Sequence, residues 1–146
     1  MYRLGADGPE VLIAHPGGPF WSRKDEGAWS IVKGLLAEGE DLWTAARREF
    51  REEVGIDVPA GAYVELGTVT QRGGKIVTAF GVESDLDVSN AVSNTFEIEW
   101  PPKSGLMKSF PEVDRIEWFP LEQARQKLLP SQLPFLDAVE AIVAAN

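Results

Sequence analysis

An α+β fold is the architecture this sequence predicts, and three observations carry the prediction. Residues 42 to 54 have helical periodicity, with residues at both ends that start and stop helices. Short strand-like segments lie before and after that stretch. From residue 121 onward the pattern is helical again, divided at Pro130. With 146 residues and 44% apolar content, one domain with a substantial core is expected over residues 1–146.

Composition excludes several classes of function. Cysteine is absent, so neither disulfides nor thiol chemistry contribute. A net charge of −9 argues against a nucleic-acid surface, because phosphate affinity rests on Lys and Arg. No stretch approaches the ~18 apolar residues of a membrane span, and no basic and apolar leader is evident, so a cytoplasmic location is expected.

Met1 to Leu4 has strand character, Ala6-Asp7-Gly8-Pro9 reads as a turn, and Glu10 to His15 (EVLIAH) is a short strand. His15, the only histidine, is expected to hold a structural hydrogen bond at the strand end. Pro16 to Glu26 (PGGPFWSRKDE) is a loop by its Gly and Pro content. Within it Phe20 and Trp21 are placed either to stack on a nucleobase, with Arg23 or Lys24 near phosphates, or to cover an edge of the domain. Trp29 to Val32 reads as a strand that leads to Lys33 and Gly34.

Asp41 stands where an N-cap belongs and Gly55 where a C′ glycine belongs, which bounds a helix over Leu42 to Val54. Trp43, Ala46, Phe50 and Val54 fall on its apolar face. Glu49, Glu52 and Glu53 fall beside one another at i, i+3 and i+4. Carboxylates that close repel and weaken a helix, so something positive should sit against them. A solvated acidic face is the plainer reading, but the flanking residues overturn it. Gly34, Glu40 and the run Arg48-Glu49-Phe50-Arg51-Glu52-Glu53-Val54-Gly55-Ile56 fill every fixed position of the Nudix box, G-x5-E-x7-R-E-U-x-E-E-x-G-U, where U is bulky and apolar. The chain resembles a Nudix hydrolase.

That resemblance implies an α/β/α sandwich with a mixed β-sheet, and a role for each box residue. Glu49, Glu52 and Glu53 are the implied ligands of Mg²⁺ or Mn²⁺, hard cations that suit oxygen donors. The Lys33 carbonyl matches a further ligand position. Arg48 is implied to orient the acidic residues through ion pairs, and Glu40 to brace the loop-helix junction. Gly34 and Gly55 read as structural, one for a turn tight against the helix and one as its left-handed stop. Val32 departs from the proline common before Lys-Gly in the family.

After Val58-Pro59-Ala60-Gly61, residues Tyr63 to Gln71 and Lys75 to Glu83 flank Arg72-Gly73-Gly74 as a β-hairpin. Arg72 and Lys75 at its tip are candidate phosphate contacts, or plain solvated charges. Residues 84 to 93 read as a loop. In Asn94 to Trp100, Thr95, Glu97 and Glu99 share one face, and Phe96, Ile98 and Trp100 the other. Members of the resembled family often add a glutamate from outside the box; Glu99 and Glu97 are the first candidates here and Glu112 the third. Glu112 to Phe119 reads as a strand, and Leu121 to Leu129 and Ser131 to Ala145 as helices.

The implied activity is metal-dependent attack of water on phosphorus, cleaving a phosphoanhydride bond in a nucleoside polyphosphate, dinucleoside polyphosphate or related nucleoside diphosphate-X compound. Glu53, Glu52 or Glu99 would accept the water's proton. The expected partner is a small-molecule nucleotide, with the chain a monomer or homodimer. The alternatives are a non-catalytic domain of the same family that binds a nucleotide or a protein, and a plain acidic structural domain.

Overall fold

In the computed structural model, which describes residues 1–146, seven strands and three helices follow one another. They are β1 (Tyr2–Gly5), β2 (Gly8–Pro16), α1 (Leu42–Val54), β3 (Val64–Thr70), β4 (Ile76–Gly81), β5 (Thr95–Glu99), β6 (Met107–Pro111), β7 (Val113–Pro120), α2 (Leu121–Lys127) and α3 (Leu133–Ala145). β2 lies between β1 and β7, antiparallel to both, while β3–β4 and β5–β6 are hairpins. A parallel bridge from Tyr2 to Glu83, just beyond β4, makes the strand association mixed. There Tyr2 N–H donates to Val82 O at 3.0 Å and Ser84 N–H donates to Tyr2 O at 3.0 Å.

β2 shows why the architecture is a sandwich. Its run Val11-Leu12-Ile13-Ala14 is buried throughout, as a strand covered on both faces must be. Side chains alternate, so Leu12 packs with Phe50 and Val54 of α1. Val11 and Ile13 pack on the opposite side with Leu121 and Ala124 of α2 and Leu136 and Val139 of α3. Helices therefore cover both faces of this sheet. On α1 the buried residues are Ala45, Phe50 and Val54, while Trp43 is half-buried and stacks on Tyr63 at 3.9 Å.

Two segments differ from the sequence expectation. Trp29 to Val32 is no full strand: Ser30 bridges Ala14 and Trp29 bridges Leu128, and the ladder stops there. β6 was not expected, since Met107, Lys108 and Ser109 are all exposed and leave no burial periodicity to read.

Buried polar groups fasten the loops to this frame. His15 is 3% exposed; Nδ1 meets Asp114 at 2.7 Å and Nε2 meets the Lys24 carbonyl at 2.6 Å, which ties the 16–28 loop to β2 and β7. Gln132 is fully buried. Its Oε1 accepts from Ile31 N–H at 2.9 Å, and its Nε2 donates to Ser30 Oγ at 2.9 Å and Gln71 Oε1 at 3.0 Å. Gln132→Leu strands the Ile31 donor and is expected to remove about 1–3 kcal/mol of stability. A urea unfolding midpoint equal to that of the wild type would show that this network contributes nothing.

Candidate metal and phosphate site

The site begins with the ends of α1. Asp41 Oδ1 accepts from Thr44 N–H at 2.8 Å, which satisfies one of the free donors of the first turn. At the other end Gly55 takes φ 78° and donates its N–H to Arg51 O at 2.9 Å. A Cβ at Gly55 would meet Val92 O at 2.5 Å, so both conformation and space call for glycine. With both ends fixed, the glutamates of the last two turns stand in a set direction.

Arg48 organises them. Its Nε and Nη2 donate to the two carboxylate oxygens of Glu40 at 2.9 and 3.0 Å, a bidentate pair. Nη1 donates to Glu49 at 2.8 Å and reaches Glu52 at 3.3 Å, and Nη2 also donates to Leu35 O at 2.8 Å. These contacts raise the Arg48 pKa further, with Glu40 the largest contributor and Glu49 next. Glu40 Oε1 accepts from Ala37 N–H at 3.0 Å, so the 34–40 loop is clasped onto the helix. Gly34 lies against the Glu49 carboxylate so closely that a Cβ would fall inside it.

Glu53 has no such cationic clamp. Burial pushes its carboxyl up to about 7 from the usual 4.5, repulsion from Glu49 adds to this, and Glu112 contributes in the same direction. The Lys33 ammonium and backbone N–H pull the other way. Lys33 is itself held below the ordinary lysine value, first by burial and then by the neighbouring Lys75 ammonium, against the attraction of Glu53 and Glu49. Two carboxylates and two ammonium groups thus share one partly dehydrated corner.

A cleft of about 510 Å³ opens from this corner, lined by Lys33, Gly34, Glu49 and Lys75 and otherwise mainly by apolar side chains of α1, β2 and β4. Phe20, Trp21, Arg23 and Arg72 do not line it. Phe20 stays 57% exposed and meets Trp100 edge-on at 5.4 Å, and Trp21 carries the Lys24 ammonium 4.8 Å from its ring centre. Arg72 is exposed on the β3–β4 turn, and Arg23 on the surface of its loop.

Glu99 is exposed on β5 opposite Met107. α1 is joined to this strand through Asn94, whose N–H donates to Glu52 O at 2.8 Å. Five residues at about 3.3 Å each put Glu99 roughly 16 Å along the chain from that anchor. Glu112 instead donates its N–H to Asn94 O at 2.9 Å, and its charge reaches Glu53. Alternation along β5 pointed to Glu99; the return of β6, absent from the sequence pattern, is what brings Glu112 back to α1.

A family model described as NUDIX domain matches residues 2–139. The chain belongs to the Nudix family. It is 28% identical over 124 residues to Nudix hydrolase 5 of Arabidopsis thaliana, which covers 82% of this chain and 34% of that protein. The chain spans about a third or less of the length of the curated relatives it matches first. Among solved structures, a C. elegans Ap4A hydrolase binary complex superposes with a TM-score of 0.64 at 21% identity, covering 99% of this chain and 95% of that one. The Nudix domain of Shewanella oneidensis NrtR complexed with ADP ribose gives 0.61 at 15% identity, covering 97% of this chain and 82% of that one. At these identities the two structures bear on fold alone.

The residues present suit a hard divalent cation. Glu49, Glu52 and Glu53 offer carboxylate oxygens, Glu53 is raised first by burial and then by repulsion from Glu49, and the Lys33 carbonyl accepts no hydrogen bond. The side chains form no ready three-carboxylate cage, because Arg48 engages Glu49 and Glu52.

Proposed function

We propose that this Nudix domain hydrolyses a phosphoanhydride bond in a nucleoside polyphosphate, dinucleoside polyphosphate or related nucleoside diphosphate-X compound, by attack of water on phosphorus. The observation that carries the proposal is Glu53, raised to about 7 beside Lys33, next to a carboxylate pair clamped by Arg48. Glu49, Glu52, Glu53 and the Lys33 carbonyl are the groups to hold Mg²⁺ or Mn²⁺. The ion supplies positive charge that offsets the phosphate oxygens and acidifies water. The Lys33 and Lys75 ammonium groups at the mouth of the cleft attract the phosphates of a substrate that a chain of net charge −9 would otherwise repel. Arg48 sets the carboxylate directions, and Glu53 or Glu112 accepts the proton of the attacking water. Little covalent work falls to the protein, so positioning and fixed charge carry most of the rate. A nucleotide ligand accords with the Ap4A hydrolase and the ADP-ribose complex among the structures that share this fold.

Product release from nucleoside triphosphates, dinucleoside polyphosphates and nucleotide sugars, offered at equal concentration, tests the reading. Turnover is expected with Mg²⁺ or Mn²⁺ and to fall at least about a hundredfold in excess EDTA. The rate should climb into alkaline pH, since the water must lose a proton. Turnover undiminished by EDTA contradicts the proposal. Tight nucleotide binding without turnover under any of these conditions would favour a binding domain instead.

A further inference from the structure

The cleft beside the carboxylates is mainly apolar, at its exposed rim as well as inside. Four of the exposed large hydrophobic residues, Leu35 (71%), Leu36 (52%), Leu42 (49%) and Ile76 (68%), all stand on it. Its interior reaches Ala46 and Phe50 of α1, Ala79 of β4 and Phe135 of α3. Isolated exposed apolar residues are ordinary, but a set gathered round one concavity marks a binding surface. At one end the same concavity is polar, where Lys33 and Lys75 lie side by side next to Glu49. The whole chain carries a net charge of −9, and this adjacent pair of cations on the cleft is a place where a phosphate can be held.

We infer that the cleft holds the X group of the substrate and that this group is apolar, a hydrocarbon chain or ring system in place of a sugar, with the diphosphate at Lys33 and Lys75. A volume of about 510 Å³ falls within the range of small-molecule pockets. A sugar hydroxyl placed among Ala46, Phe50, Ala79 and Phe135 would lose its water without a partner, whereas a hydrocarbon chain gains from the same burial. A second copy of this chain could cover the leucines of the rim, but it would not use the cationic end. The inference rests on the hydrolase reading above. In the reaction, water adds to one phosphorus and the bridging P–O bond breaks, so that the alkyl ester of ADP plus water gives AMP and the alkyl phosphate; one proton of the water passes to a base and the other stays on a product phosphate until that group ionises.

Decyl-ADP and ADP-ribose share everything except X and serve as probes. With Mg²⁺ present, kcat/KM is expected to be at least tenfold higher for decyl-ADP. The products give a measurement free of turnover: by calorimetry, decyl phosphate should bind at least tenfold more tightly than ribose 5-phosphate. Ala46→Phe, which fills the cleft from α1, should reduce the decyl-ADP to ADP-ribose ratio at least tenfold. If that variant misfolds, the surface change Leu36→Glu should reduce the ratio in the same direction. Equal binding of the two phosphates overturns the inference while leaving the hydrolase reading intact. Absence of any hydrolysis with tight decyl phosphate binding removes the hydrolase reading and keeps the apolar cleft. A dimer that Leu36→Glu dissociates, with no preference between the probes, assigns the rim to a self-interface and also overturns the inference.

Discussion

Replacing Glu53 by Gln is expected to lower turnover at least about a hundredfold and yet to stabilise the metal-free protein. Both effects come from one property of the site. Glu53 is buried beside Glu49, which raises its carboxyl to about 7 from the ordinary 4.5. An acid whose pKa is raised by folding favours the folded state fully only below its unfolded value. That stability is lost as pH rises from about 4.5 through about 7. At neutral pH and above, the metal-free wild type therefore carries a penalty of about 1–3 kcal/mol, which the neutral Gln escapes. The melting temperature of the variant should exceed that of the wild type by roughly 3–10 °C in EDTA at pH 8, and the two should converge near pH 4. Mg²⁺ acts the other way. At a hundred times Kd, binding adds about 2.7 kcal/mol to the wild type, which closes or reverses the gap. A structural acidic face predicts the stabilisation without the ion effect. If Mg²⁺ shifts both proteins equally, Glu53 does not bind the ion.

Much of this was legible because it is local. The caps of α1, its apolar face and the three glutamates depend only on spacing within one helix, and Asp41, Phe50, Val54 and Gly55 stand in the structure where that spacing puts them. The strands buried on both faces or paired by a tight turn were legible for the same reason. What escaped depends on contacts distant in sequence. Trp29 to Val32 has strand composition, but a single bridge on each side completes its pairing. Phe20 finds Trp100 across eighty positions, a contact no local pattern announces. The cleft is also invisible in the sequence, since Leu35, Leu36, Leu42 and Ile76 come from three separate segments and look like ordinary loop, helix and strand residues. Lys75 reads as a turn cation until the hairpin folds back and sets it beside Lys33.

The carboxylate outside the helix is the other place where distant contacts decide chemistry, and there the expected effects on rate are largest after those of Glu53. Glu112→Gln should lower kcat about a hundredfold with little change in KM, and Glu99→Gln should leave both within about twofold. The backbone of Glu112 is held at both ends: its N–H donates to Asn94 O at 2.9 Å, and its carbonyl accepts from Gly17 N–H at 3.0 Å. Asn94 in turn donates to Glu52 O at 2.8 Å, so Glu112 is fixed relative to the last turn of α1. A proton acceptor contributes about 10²–10⁴-fold only when it is positioned, and that chain of hydrogen bonds is a positioning device. Glu99 has the same chemistry but sits at the far end of an exposed hairpin, paired in register with Met107. Loss of an interaction made only in the transition state lowers kcat, whereas loss of uniform binding raises KM, so steady-state kinetics of the two variants separates the roles. A large fall in kcat for Glu99→Gln, with Glu112→Gln near wild type, would mean that the β5–β6 hairpin swings toward α1 when substrate binds and that Glu99 accepts the proton.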